Sequence, residues 1–238
     1  MKKIILVLTV SILIFPKNLK AQDDTAAAVA GGLLMLGAGI AAVEQFKEQL
    51  EQRAVEEILS NHNMKNFKLK TSTLDGVSAS DISSIGVVTY EVDNFDNMKK
   101  YILFSFMSSG WMNQYGADFN KIRWKLFDKD EWNNLMKAYI ETASRKEVSI
   151  EDVKLSKIDT RGVKKGKEYI VSFTKIDGDT YLTNDYSDEF KIVFNEGRLG
   201  LFLKKMGGNS DEYSNLRGSL VQIRKKAIIK AHSHMNYQ

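Results

Sequence analysis

Cysteine is absent from the 238-residue chain, and proline occurs once, at Pro16. Without cysteine there is no disulfide staple, no thiolate nucleophile, no CxxC motif and no acceptor for lipid attachment at a processed N-terminus. Histidine is nearly as scarce, with only His62, His232 and His234. A Ser-His-Asp triad would have to recruit one of these three, and all fall at expected helix ends or in the C-terminal tail. No HExxH pair and no P-loop is present. His232-x-His234 reads more readily as a frayed basic tail than as half a metal site. The inventory therefore indicates no metal and no cofactor. It leaves open a carboxylate-based hydrolase, because paired carboxylates are defined by separation in space and not by spacing in sequence.

What is present begins with Lys2 and Lys3, an apolar run from Ile4 to Phe15 broken only by Thr9 and Ser11, and then Leu19-Lys20-Ala21. That order of positive start, short apolar stretch and small-residue site is the pattern of a secretory signal peptide over residues 1–21, with cleavage before Gln22. The run is shorter than the roughly 20 residues a spanning helix needs. Removing the signal also changes the charge. Of 34 basic residues, four (Lys2, Lys3, Lys17, Lys20) lie in it and no acid does, which leaves 30 basic against 30 acidic. The apparent basicity belongs to the leader, so nucleic acid is not an expected partner. The expected location is the periplasm or the outer membrane, not as a lipoprotein.

Residues 22–62 are expected to form a long helix over 26–61. Its first half, Thr25 to Val43, carries no charge and is crowded with Ala and Gly; its second half repeats Val43, Phe46, Leu50, Ala54 and Ile58 at helical spacing. Gly31, Gly32, Gly37 and Gly39 each weaken a helix by about 1 kcal/mol relative to alanine. Close approach of another backbone is the usual compensation, and these glycines are candidate partner-binding positions. The uncharged stretch is long enough to enter a bilayer. Against that, its small residues insert weakly, and the flank 44–57 carries five glutamates against Lys47 and Arg53, contrary to the positive-inside tendency. Packing against the body or a sister subunit is the preferred reading.

From residue 63 to 238 the pattern is that of an α+β body: a mostly antiparallel, curved sheet with two further helices. Phe67, Leu69 and Thr71 alternate with polar neighbours, and strands are expected near 84–92, 99–107 and 120–127. A helix is expected over 129–145, opened by a capping box of Asp128 and Glu131. Asp177-Gly178 predicts a hairpin between EYIVSFTKI and TYLT, and Asn195-Glu196-Gly197 a second one. A last helix is expected over 210–232, with Leu216, Leu220, Ile223, Ala227 and Ala231 on one face.

Three further features bear on binding. Ser108–Gly116 brackets Trp111 and Tyr115 with glycines and amides, a composition suited to a sugar or a partner surface, or to aromatics folded back on the core. From Tyr213 to Gln238 there is no acid, while Arg217, Arg224, Lys225, Lys226 and Lys230 give five positive charges, placing a basic face either against the acidic 44–57 or against an anionic surface. Asp177, Asp179, Asp185, Asp188 and Glu189 cluster as hairpin aspartates do, and match no calcium loop. Together these features lead to an exported, non-catalytic envelope protein that binds or scaffolds other envelope components, self-associating or docking through residues 26–61. The alternatives are a periplasmic binder of a lipid or other small apolar ligand, held between sheet and helix, and the hydrolase named above.

Overall fold

The computed structural model describes residues 40–75, 86–107, 112–113, 116–173, 182–195, 198–203 and 219–237. The leader, the glycines at 31, 32, 37 and 39, Trp111, Tyr115 and the Asp177-Gly178 turn lie outside these residues.

Helix α1 (Ile40–Asn61) buries Phe46, Leu50, Ala54 and Ile58, one residue per turn, which is the apolar stripe the spacing predicts. Strands β1 (Phe67–Asp75), β2 (Gly86–Asn94) and β3 (Lys99–Met107) follow as an antiparallel meander. A short hairpin, β4 (Met112–Asn113) and β5 (Gly116–Ala117), and a 3-10 turn at Phe119–Lys121 then lead into β6 (Ile122–Phe127). The resulting sheet 1 has the order β1-β2-β3-β6.

Both faces of sheet 1 are buried, and its residues alternate between two separate clusters. Val88, Tyr90, Val92, Leu103 and Met107 face outward and pack under α1. Val87, Ile102, Phe104, Phe106 and Phe127 face the interior of the body. This is the period-2 geometry of a strand with apolar residues supplied to each side. Full burial of each such side chain contributes on the order of 1.5–3 kcal/mol.

Helix α2 (Lys129–Ser144) has the capping box read from its sequence: Asp128 accepts from Glu131 N, and the Glu131 carboxylate accepts from Asp128 N. Its stripe of Trp132, Leu135, Met136, Tyr139 and Ile140 lies fully inside the core. A short helix α3 (Ile150–Leu155), capped by Ser149, precedes three small strands, β7 (Lys157–Asp159), β8 (Gly162–Lys165) and β9 (Glu168–Ser172). Gly162 sits at φ +150 where a Cβ would meet Val171 O at 1.9 Å, so only glycine fits this turn. Sheet 2 contains β10 (Leu182–Asn184), β11 (Phe190–Asn195), β12 (Arg198–Leu203) and β13 (Ser219–Ile223) in that order. Helix α4 (Lys225–Asn236) closes the chain and packs on β1, β2 and β3 of sheet 1, on β7 and α2, and on β12 of sheet 2.

The α+β architecture agrees with the sequence reading, and every strand pair among the described residues is antiparallel. The described strands are divided between two four-stranded sheets and two smaller ones. Beyond α1 the described residues hold three helices, not two. The second hairpin is where expected, with Asn195 paired to Arg198. The hairpin expected at Asp177-Gly178 falls on residues 174–181, which lie outside those described. One expectation is corrected: no helix runs through 219–223, where Leu220 and Ile223 lie in β13, paired along β12, and α4 begins only at Lys225. Among the described residues no helix is long and apolar enough to cross a membrane.

Candidate functional site

Sheet 1 gives the body two ends, and the described candidate residues fall at one or the other. Phe46, early in α1, stacks on Phe119 with ring centroids 6.1 Å apart and an interplanar angle of 17°, and Arg53 lies over the same ring at 5.8 Å. Phe119 directly follows the β4–β5 hairpin and its cap residue Asp118. The start of α1 is therefore tied to the end of sheet 1 where β3 finishes and β6 begins. In sequence Trp111 immediately precedes β4 and Tyr115 lies between β4 and β5; both, like the four glycines before Ile40, lie outside the described residues.

Helix α4 runs in the same direction on the opposite face of sheet 1. Lys230 Nζ donates to the Ser72 carbonyl at 2.7 Å, His234 lies beside Glu91 and Asp93, and Lys100 Nζ donates to the Tyr237 carbonyl at 3.2 Å. Arg224, the N-cap, and Lys225 and Lys226 in the first turn lie about one to two turns further toward the α1-start end. Lys225 Nζ sits 5.7 Å from the Phe173 ring. Sheet 1 separates α4 from α1, so the expected contact between this basic start and the acidic 44–57 is corrected: within one molecule the two stretches occupy opposite faces. The N-cap Arg224 makes no side-chain capping hydrogen bond and no acid occupies the first turn of α4, so three cations stand at the positive end of a helix dipole.

The other end holds a buried polar cluster that the sequence reading missed. His232, expected in a frayed tail, is only 1% exposed. Its Nε2 lies 3.1 Å from the Ser156 carbonyl, and its Nδ1 faces two donors, Trp132 Nε1 at 3.4 Å and Asn236 Nδ2 at 3.2 Å. A carbonyl can only accept and an indole N–H can only donate, so the network assigns a neutral imidazole with its hydrogen on Nε2. Burial pulls the His232 pKa down to about 4, against smaller upward effects from the Ser156 and Val153 backbones. The Tyr237 hydroxyl donates to the same Ser156 oxygen, and Asn236 Nδ2 also reaches Asn133 Oδ1 at 2.9 Å. Beside this cluster lies a cavity of about 360 Å³ between the β2–β3 turn, the start of α2 and the end of α4. Met98, Lys99, Lys129, Asp130 and Asn236 are among its lining residues. Met98 is 83% exposed and held in the left-handed region at φ 56.

Of the clustered carboxylates, Asp177 and Asp179 lie outside the described residues. Glu189 pairs with Lys125 at 3.1 Å, while Asp185 and Asp188 are exposed beside the start of β11. Among the described residues no group of three or more His, Asp or Glu side chains is arranged to hold a metal ion. The sequence matches no family model and no curated protein, and the fold matches no solved structure.

Proposed function

We propose that the protein is an exported, non-catalytic component of the cell envelope that binds or scaffolds other envelope components. Its association surface is the Gly/Ala segment before Ile40 together with the adjoining end of sheet 1. The observation that carries this reading is the docking of α1: the Phe46–Phe119 stack and the burial of Leu50, Ala54 and Ile58 fix the second half of the amphipathic pattern on the body. In sequence, the uncharged first half adjoins this docked half, and Trp111 and Tyr115 flank β4 shortly ahead of Phe119. The histidines lend the reading further support, since each is committed to a structural contact: His62 with Glu57 at 3.6 Å, His232 with Ser156, and His234 with Asp93 at 3.8 Å.

The test is to replace Gly31 and Gly39 by leucine in the full chain, then compare oligomeric state and proteins co-isolated from the native envelope. Loss of assembly or of a stoichiometric partner is the expected result; unchanged assembly and unchanged partners would sink the reading. Export has its own check, the intact mass of the exported protein, which should correspond to a chain starting at Gln22.

A second reading, a binder of a small apolar ligand, has one observation in its favour. Tyr139 is fully buried in the apolar core beside Phe194, and its hydroxyl has no hydrogen-bond partner among the described residues. A ligand oxygen would satisfy it, and a bound small molecule in native mass spectrometry would favour this reading over the first.

A further inference from the structure

The last six residues of the described chain, His232–Tyr237, have a peculiar set of attachments. On one flank they meet neutral groups: Trp132 and Asn133 from α2, and the Ser156 carbonyl at the end of α3. On the other they meet charged ones: Glu91 and Asp93 from β2, which lie 4.0 and 3.8 Å from His234, and Lys100 from β3. Lys70 of β1 stands 3.7 Å from Glu91, and Lys230 of α4 itself reaches the Ser72 carbonyl. The contacts from β7 and β12 are apolar, through Ile158, Leu199 and Leu201 in the core they share with α4.

The His232 seat accepts only one protonation state. A proton added at Nδ1 would point at the Trp132 and Asn236 N–H groups, setting donor against donor at 3.4 and 3.2 Å, and among the described residues no carboxylate faces the ring to compensate. Both existing hydrogen bonds at Nδ1 would be lost inside a site sealed from water. Met235, Asn236 and Tyr237 form one wall of the cavity at the β2–β3 turn, so the same six residues that carry this acid-intolerant seat also close that cavity.

We propose that His232–Tyr237 is an acid-released latch: neutral imidazoles hold the end of α4 in its seat and the cavity wall in place, and protonation of His232 frees both. Opening exposes the imidazole to water, where it takes up its proton at the ordinary histidine value. It also joins the cavity to the charged strip of sheet 1 formed by Lys70, Glu91, Asp93 and Lys100. The latch belongs to the body and does not depend on what the N-terminal segment binds. Burial suppresses protonation of both histidines in the closed state, the carboxylates only partly offsetting this at His234. With an open-state value near 6.5, the opening equilibrium should rise roughly 50- to 100-fold between pH 7 and about pH 4.5 from His232 alone.

The experiment is amide hydrogen exchange on the full chain at those two pH values, with rates corrected for the intrinsic pH dependence of exchange. The expected result is that peptides covering 225–237 lose protection by that factor while those covering β2 and β3 do not, and that His232→Gln removes most of the difference. If α4 and sheet 1 lose protection in step, or if the Gln variant opens with acid as the wild type does, the latch is refuted. Should the variant fail to fold, the NMR titration of the His232 ring in the wild-type chain decides. Protonation suppressed until α4 opens supports the proposal. A midpoint near the ordinary value with α4 still protected overturns it.

Discussion

The indole Nε1 of Trp132 donates to Nδ1 of His232 at 3.4 Å, across 100 positions of sequence. It joins the first turn of α2 to the last turns of α4 and, through Nε2, to Ser156 at the end of α3. Three helices that meet nowhere in sequence thus share one imidazole, and what one contact asks of it the others constrain.

The first prediction concerns pH and stability. His232 takes up its proton at about 4 in the folded chain and near 6.5 when unfolded. Between these values the unfolded chain binds more protons, so stability is retained above 6.5 and lost as pH falls toward 4, below which the loss levels off. The gap corresponds to on the order of 3 kcal/mol. Urea unfolding of wild type and His232→Gln across this window should show the two curves converging as pH falls. Parallel curves would remove His232 from the account.

Tyr139→Phe supplies a second test. Deleting a buried hydroxyl that lacks a partner among the described residues leaves the ring and its contact with Phe194, at 5.5 Å between centroids, in place. The expected gain is about 1 kcal/mol, since an unsatisfied buried donor costs roughly that much or more. A loss of stability on this substitution, measured in chain purified from its native source, would mean that something bound supplies an acceptor.

Truncation should distinguish the two halves of the N-terminal region. Leu50→Ala and Ile58→Ala, both on the buried face of α1, should each cost about 2–5 kcal/mol. Deleting 24–62 strips the cover from Val88, Tyr90, Val92 and Leu103 and should give aggregation. Deleting only 24–39 should leave unfolding midpoints unchanged while altering assembly. A shift in midpoint with the shorter deletion would assign the Gly/Ala segment to the fold instead of to association.

Reversing Arg224, Lys225 and Lys226 to glutamate tests the anionic-surface proposal without the usual ambiguity. Acidic residues at a helix start are favourable by about 0.3–1 kcal/mol each, so the helix itself should tolerate the change. Binding to anionic liposomes is expected to fall in the variant, and in the wild type to weaken with salt, because screening sets in over about 8 Å at physiological ionic strength. Equal binding at low and high salt by both proteins would reduce the basic start of α4 to a solvated surface.

How much of this was legible in the sequence depended on how local the determinant was. β3 at Lys99–Met107 and α2 with its Asp128–Glu131 box were readable because periodicity and capping are short-range. The 219–223 stretch was not. Leu220 and Ile223 fit a helical spacing, Val221 and Ile223 fit an alternating one, and five residues cannot decide between the periods. Pairing with β12 decided it. His232 was misplaced for the opposite reason: its neighbours AHSHMNYQ look solvated, and every residue that buries it except Asn236 and Tyr237 comes from far away in sequence.

The double-sided burial of sheet 1 has a consequence for how the chain finds its pairing. A strand with one wet face is held in register by polarity, because a slip of one residue would drown polar side chains and expose apolar ones. β3 lacks that safeguard over Ile102–Met107, where apart from Ser105 a slip exchanges one set of apolar residues for another. The task falls to the connection between β2 and β3. Asn94 Oδ1 accepts from Asp96 N, Asn97 Oδ1 accepts from Lys99 N, and the Asp96 carboxylate accepts from the backbone of both Lys65 and Asn66 ahead of β1. These contacts fix the turn and the neighbouring strand start together. Loss of Asp96 would therefore appear less as a missing pair of hydrogen bonds than as a mixture of misaligned sheets, slow to sort themselves during refolding.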